Sequence, residues 1–377
     1  MNIKKKVGII TFHESPNYGA ILQAFALQRF LRDEDYDAEI IDYCNPGRSH
    51  SQVSGIKKFR SKIWKLTFWK LFRSKKREHN TEKFKDKYMV FSNLKYTNSN
   101  MIANSPPNYD YYITGSDQVW NPRNNAYDPT YFLSFAPDEK KKISYAPSFG
   151  LKKLPESYKF FCKPLVERLN EVSIREKSGA ELIKEICGLT TRVVVDPTFL
   201  LDMEIWDKIA GPVNPKREGY IFCYYMPGDK KVEKAIKNIS MKISIETGLK
   251  IVNAGKKVYG RIKWWENTRY DAGPDEFIRL IRDADCVITN SFHGTAFSII
   301  FNKNFLVPVN LDLPKEDALN SRIIDLLDLL GLQNRLCDTE AAVEFCDKHP
   351  IDYGNVNNLL VKEVQKSKKY LLQVLEN

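Results

Sequence analysis

The sequence has no apolar stretch long enough to span a bilayer, no cysteine pair of the C-x-x-C kind and no G-x-G-x-x-G fingerprint. The first absence excludes a membrane-spanning chain. The opening Met1-Asn-Ile-Lys-Lys-Lys-Val7 runs straight into a strand instead of a signal-peptide core, so a cytosolic protein is expected. Seven cysteines, at positions 44, 162, 187, 223, 286, 337 and 346, are odd in number and scattered, which indicates neither a disulfide framework nor a zinc site. No metal is therefore expected. Without the glycine fingerprint a dinucleotide is not favoured, and without an RNA-module signature or an aromatic β platform a nucleic-acid partner is not expected.

What the chain does have is length and positive charge. It has 377 residues, 43% of them hydrophobic, which is too much for one compact core and suits two domains, 1–205 and 206–377. Gly211, Pro212 and Pro215 mark the linker between 206 and 219. The formal charge of +11 points to an acidic partner, such as a phosphorylated metabolite or an anionic membrane surface. Residues 56–77, inside a basic insertion at about 50–90, carry ten basic side chains and no acid. They read either as an interfacial element on anionic lipid or as a helical insertion with solvated lysines.

Short apolar strands alternate with helical patterns along the rest. Strands are expected over 7–11, 38–42, 109–114, 142–146, 172–175 and 192–195, then over 219–225, 249–254, 286–289 and 304–309. Helices are expected over 20–31, 230–246, 275–283, 320–330 and 358–376, the last crossing back toward the first domain. This is an α/β pattern of two Rossmann-like domains. Each strand of the first domain empties at its C-terminal end into small, polar or charged residues, where a parallel sheet presents its ligand edge.

The chemistry concentrates in Asp285-Cys-Val-Ile-Thr-Asn-Ser-Phe-His-Gly-Thr-Ala-Phe-Ser-Ile-Ile-Phe301, read as strand, tight turn and buried helix beginning near 296. A new helix offers free N–H groups and its positive dipole end to an anion. His293 contributes the one side-chain type that titrates near neutral pH, and Gly294 permits close backbone approach. Opposite, Arg175 stands at a strand end, where a guanidinium fork suits a carboxylate or phosphate.

Six motifs occur in order: Thr11-Phe-His13 with Asn17-Tyr-Gly-Ala20 and Gln23-Ala24; Gly115-Ser-Asp-Gln-Val-Trp-Asn-Pro122; Ser144-Tyr-Ala-Pro-Ser-Phe-Gly150; Ile174-Arg-Glu-Lys-Ser-Gly179; Asp196-Pro-Thr198; and Thr289-Asn-Ser-Phe-His-Gly-Thr295. Together they resemble the polysaccharide pyruvyl transferase family over about residues 5–335. The resemblance implies a GT-B-like pair of domains facing across a cleft. It also implies transfer of the pyruvate moiety of phosphoenolpyruvate to two hydroxyls of a sugar, giving a cyclic ketal and phosphate. Phosphoenolpyruvate is then a co-substrate and no cofactor is expected.

Such chemistry needs an acid, a base and cations. His293 and Asp117 are the expected catalytic pair. Arg175, Ser291, Gly294, Thr295 and Arg322 are expected on phosphoenolpyruvate, although Ser291 and Thr295 read equally well as helix caps. Glu176 would orient Arg175. Asn17, Tyr18, Gly19, Ser116, Gln118 and Trp120 are expected on the acceptor, with Trp120 either stacking on a pyranose or sitting in the core. His13 reads as a loop-ordering residue or a second proton carrier. The acceptor is a saccharide, free, lipid-linked or nucleotide-linked; the basic insertion favours a lipid-linked one at the inner membrane face. The alternative is a sugar-nucleotide glycosyltransferase on the same architecture.

Overall fold

The computed structural model describes residues 4–46, 64–215, 217–226, 228–254, 268–310, 321–338 and 350–376, with only the backbone course given for 64–74. Two wholly parallel sheets organise the chain. The first joins β1 (Lys6–Ile10), β2 (Asp37–Ile40), β3 (Tyr111–Thr114), β4 (Lys141–Ser144), β5 (Glu171–Ile174) and β6 (Arg192–Val193) in the order β2-β1-β3-β4-β5-β6. The second joins β7 (Tyr220–Tyr224), β8 (Lys250–Asn253), β9 (Cys286–Thr289), β10 (Asn304–Val309) and β11 (Leu336–Asp338) in the order β11-β10-β9-β7-β8. Each sheet reverses its strand order beside its first strand, between β1 and β3 and between β7 and β9. That reversal opens a crevice at the C-terminal strand ends, the usual ligand position in such sheets.

The principal helices are α1 (Tyr18–Asp33), α2 (Trp64–Tyr88), α3 (Glu156–Glu167), α4 (Lys177–Cys187), α5 (Met203–Ala210), α6 (Lys230–Thr247), α7 (Pro274–Arg282), α8 (Phe292–Ile300), α9 (Ser321–Leu329) and α10 (Tyr353–Glu376). Strand β9 is buried at every position, and α8 behind it is buried along its whole length. Such a fully buried strand–helix pair can only sit in the middle of a domain.

Several boundaries differ from those expected. Helix α8 starts at Phe292 and not near 296, because Ser291 caps it; what read as a turn is its first helical turn. Helix α1 starts at Tyr18 for the same reason, its N-cap being Asn17. The expected linker is shorter, since α5 continues to Ala210 and stops at Gly211, whose φ is 77°. Strand β11, three residues paired to β10, carries too little periodicity to be read in advance. Of the basic insertion, residues 56–63 lie outside the described residues, and α2 runs on from Trp64 to Tyr88. Among the described residues no helix is long and apolar enough to cross a membrane.

One hydrophobic cluster runs through both domains, from Ile9, Phe25 and Leu27 through Trp206 to Phe277, Phe297 and Leu371. The two halves are therefore packed together. Tyr18 of α1 stacks on Phe277 of α7, rings 4.5 Å apart, and donates its hydroxyl to Ala272 O at 3.0 Å. Asp325 of α9 accepts from Lys177 N at 2.9 Å, so a carboxylate of the second domain caps a helix of the first. Helix α10 begins against the second domain, where the Tyr353 hydroxyl donates to Lys303 O. It ends against the first, where Ser367 Oγ accepts from Val195 N at 3.1 Å.

Candidate active site

The site lies where the C-terminal ends of β3, β4, β5 and β6 meet the N-terminus of α8. Its centre is Asp196, fully buried just after β6. One oxygen, Oδ1, accepts from Thr198 N at 3.0 Å and Thr198 Oγ1 at 2.8 Å. The other, Oδ2, accepts from Ser116 Oγ at 2.9 Å and Arg175 Nη1 at 2.8 Å, and stands 3.6 Å from His293 Nε2. Burial opposes ionisation of this carboxyl, but the His293 and Arg175 charges outweigh it and hold the carboxyl well below the usual range.

His293 reaches Asp196 from the other domain. It occupies the first turn of α8, buried, and its Nε2 has no hydrogen-bond partner among the described residues. The opposite ring edge packs on Gly19 in the first turn of α1, where a Cβ would fall inside contact distance of Nδ1. A glycine at 19 is thus what allows this approach across the domains.

Arg175 is only 7% exposed, yet its Nε and Nη2 have no hydrogen-bond partner among the described residues. Its guanidinium carbon lies 4.4 Å over the Phe292 ring, and that of Arg322 lies 6.0 Å over the same ring. Burial first, and then the Arg175 charge, push Arg322 down to about 10. With its amide oxygen turned toward Arg322, Gln118 accepts from Nη1 at 3.1 Å and Nη2 at 2.8 Å. Glu176 is fully buried; its Oε1 accepts from Ser148 Oγ at 2.8 Å, Phe149 N at 3.1 Å and Gly150 N at 3.3 Å. Its Oε2 is 3.9 Å from Arg175 Nε, and burial pushes the carboxyl up against the pull of Arg175 and Arg322. The two guanidiniums thus stand among three carboxylates, those of Asp196, Glu176 and Asp117.

Asp117 follows β3 with φ of 74°, a left-handed conformation uncommon for a residue with a side chain. Its carbonyl accepts from Ser148 N at 2.9 Å, fixing the backbone. No described residue hydrogen-bonds its carboxylate, whose charge is felt at Arg322 and at Tyr224. Among the described residues no group of three or more His, Cys, Asp or Glu could hold a metal ion.

The sequence profile of the polysaccharide pyruvyl transferase family matches residues 17–310. The chain belongs to that family. Its motifs are the loops just described, in a family of transferases that act in polysaccharide biosynthesis. No curated protein matches the chain in sequence. Solved structures of similar fold include Methanocaldococcus jannaschii UDP-GlcNAc 2-epimerase with UDP-GlcNAc and UDP, at TM-score 0.55 and 13% identity over 97% of this chain and 100% of that one. The N-terminal domain of Candida albicans trehalose-6-phosphate phosphatase gives 0.54 at 8% identity, over 99% and 97% of the two chains. Arabidopsis thaliana UGT89C1 with UDP-L-rhamnose gives 0.51 at 10%, over 100% and 99%. The fold is GT-B-like; likeness at this level of identity concerns architecture alone.

Measured against this pyruvyl transferase framework, the expected residues divide. His293, Arg175, Arg322, Gln118 and Ser116 converge around Asp196 and Phe292, while Gly19 borders His293 from α1 and Asn17 caps that helix, its Oδ1 accepting from Gly19 N at 3.1 Å. Ser291 and Thr295 are placed as caps: Ser291 Oγ accepts from Gly294 N at 3.4 Å, and Thr295 Oγ1 donates to Ser291 O at 3.1 Å. Thr295 N also donates to Ser291 O, at 2.9 Å. The N–H groups expected to hold an anion, those of Gly294 and Thr295, are thus spent on the helix end, and Gly294 itself is required by close packing on Thr289. The N–H groups of Phe292 and His293 are the ones that no described residue engages.

Trp120 takes the core position of its two readings. It is fully buried, its Nε1 donates to Tyr131 O at 3.0 Å and Phe132 covers its face at 5.0 Å, so no sugar can stack there. Tyr18 is likewise buried, in the interdomain contact. Ser116 points at Asp196 rather than outward. His13 has both ring nitrogens engaged, with Thr11 O and Asp42 Oδ1 at 3.1 Å each, and orders its loop. The residue that sequence reasoning left out of the site is Asp196, which was visible only as the first member of Asp196-Pro-Thr198.

Proposed function

We propose that this transferase moves the pyruvyl group of phosphoenolpyruvate onto two hydroxyls of a saccharide, forming a cyclic ketal and releasing phosphate. The observation that carries the reading is the pair of arginines from opposite domains on Phe292. Arg175 keeps two buried donors unsatisfied beside the second guanidinium, an arrangement that is costly until an anion arrives. Phosphoenolpyruvate brings a phosphate and a carboxylate, and the fork of Arg175 suits either.

His293 delivers a proton to the methylene carbon, leaving an oxocarbenium-like centre at the adjoining carbon. One sugar hydroxyl attacks that centre and gives its proton to Asp117, whose carboxylate has no competing hydrogen bond among the described residues. The bond to the phosphate oxygen then breaks, and phosphate leaves on Arg175 and Arg322. The second hydroxyl closes the ring. The hydroxyl proton held by Asp117 passes to the departing phosphate or to solvent, and that of the second hydroxyl restores His293. Asp196 orients His293 and stabilises its cationic form from the opposite domain.

The test is phosphate release from phosphoenolpyruvate with a panel of hexose and N-acetylhexosamine acceptors, free, nucleotide-linked and lipid-linked, with mass detection of the ketal. His293→Gln and Asp117→Asn are expected to lower turnover by about 10²- to 10⁴-fold each. Unchanged phosphate release in folded His293→Gln and Arg175→Ala variants defeats the mechanism. Tight binding of a nucleotide sugar with no response to phosphoenolpyruvate favours glycosyl transfer instead. Anionic-vesicle binding that disappears on deletion of residues 56–77 supports a lipid-linked acceptor at a membrane surface.

A further inference from the structure

The carboxylate at the centre of the site is held from behind by a part of the chain outside it. Strand β6 is the edge of the first sheet and has two residues, Arg192 and Val193. The last bond from this segment to β5 runs from Val194 N to Ile174 O at 2.9 Å. Asp196 follows two residues later, and Pro197 after it has no N–H by which to anchor the backbone. The sheet therefore stops short of Asp196, although four donors have to converge on its two oxygens at 2.8–3.0 Å.

The backbone of Val195 is gripped instead, on both sides. Its N–H donates to Ser367 Oγ of α10 at 3.1 Å. Its carbonyl, on the peptide that leads into Asp196, accepts from Tyr145 Oη at 3.2 Å. Tyr145 is fully buried and Ser367 is 3% exposed. Burial first, and then the nearby Asp196 charge, push the Tyr145 hydroxyl well above its ordinary value, so it is a protonated donor at neutral pH. Around this grip α10 is fastened to the same stretch: Arg192 lies over the Tyr370 ring at 5.4 Å, Lys368 reaches Asp202 at 4.0 Å, and Leu371 is buried. Tyr145 belongs to the Ser144-to-Gly150 motif, whereas Ser367 lies beyond the residues that the family profile matches.

We propose that Ser367 and Tyr145 are positioning residues, which hold the Val195 backbone so that Asp196 meets His293 and Arg175 together. The C-terminal helix thereby serves the reaction without touching substrate. What the carboxylate is positioned for rests on pyruvyl transfer as read above. Removing the Ser367 hydroxyl leaves a buried N–H unpaired, and the backbone can regain a partner only by moving. Asp196, the next residue, moves with it.

The chain has five histidines, few enough for their ¹³Cε1 signals to be followed singly by NMR, that of His293 being the one lost in His293→Gln. Ser367→Ala and Tyr145→Phe should each move the His293 signal of the free protein, and Ser367→Thr, which keeps the hydroxyl, should leave it in place. The signal of His13, buried at the far side of the first domain's sheet, should stay. Leu375→Ala, about two turns further along α10, should lower the urea midpoint without moving His293. In turnover, Ser367→Ala should lower kcat for phosphate release about ten- to a hundredfold, with KM for phosphoenolpyruvate less affected. In an Asp196→Asn background the same change should cost little more, because its path to the reaction runs through that carboxylate. The assignment is overturned by an unmoved His293 signal in Ser367→Ala and Tyr145→Phe, by an equal shift in Leu375→Ala or Ser367→Thr, or by an undiminished loss of kcat in the Asp196→Asn background. Wild-type protein that releases no phosphate from phosphoenolpyruvate with any acceptor overturns pyruvyl transfer instead, and the imidazole signals still decide the positioning.

Discussion

The two sheets share one strand order, yet they furnish the site by different means. From the first come charged side chains standing on strand ends: Asp117 after β3, Arg175 after β5 and Asp196 after β6. The second contributes a helix terminus, with His293 in its first turn, and sends Arg322 from the start of α9. Repeating a topology repeats the crevice, because the crevice follows from where strand order reverses. It does not repeat the chemistry, which depends on what occupies the loops. In this pyruvyl transferase neither half is complete alone: His293 lies on one side, and Asp196, the carboxylate it approaches, lies on the other.

The sharpest way to break that comparison is to remove one arginine from each side. Arg175→Ala and Arg322→Ala are each expected to lower kcat/KM for phosphoenolpyruvate by about 10²- to 10³-fold. Arg175→Lys should behave like the alanine variant, since an ammonium cannot replace two forked donors. Steady-state kinetics with the acceptor saturating checks this; an effect confined to Arg175 would make the donor site a property of the first domain alone. Next in size is Gly19→Ala, whose methyl group would displace His293 from its seat on α1. A misplacement of that order costs about 100-fold in kcat, with the substrate KM values less affected. Wild-type turnover in this variant would separate His293 from the first domain.

Two carboxylates beside one guanidinium give a subtler contrast in acid and base titrations of stability. The folded-state pKa of Asp196 is depressed, so its contribution is present above the ordinary carboxylate range near pH 4 and is lost as pH falls below it. Asp196→Asn should therefore be less stable than wild type at neutral pH, with the difference shrinking toward acid. Glu176 is raised, so the folded state opposes its ionisation and it costs stability above that range. Glu176→Gln should close or reverse its difference from wild type as pH rises. Urea unfolding from pH 3 to 8 reads both, and parallel pH profiles for the two variants would refute the assignment. The smallest effect is expected from Asp325→Ala, which removes the cap lent to α4 by the second domain. A loss of about 1 kcal/mol in urea unfolding, with kcat little changed, is the expected outcome.

Much of this was legible beforehand because parallel α/β chains alternate strongly between short apolar strands and longer amphipathic helices. Strands β9 and β10 fall at the expected residues, both being dense apolar runs with polar ends. What misread was capping: an N-cap side chain moved the start of α8 four residues earlier, turning Gly294 and Thr295 from anion donors into parts of a helix end. Trp120 illustrates the other difficulty. An indole beside polar residues looks like a sugar platform until Phe132 is seen to cover it.

By itself the sequence determined the fold class, the ordered loops and the family, since strand periodicity, helix spacing and motif order are local properties of the chain. Tertiary structure alone decided that Asp196, 97 residues before His293, stands beside it, and that Gly19 makes room for the imidazole. It also decided that two arginines from different domains meet at one aromatic ring, that of Phe292. Those are relations between domains, fixed by the packing of α1, α7 and α8 into one apolar core. No local pattern can encode which charges that packing brings together.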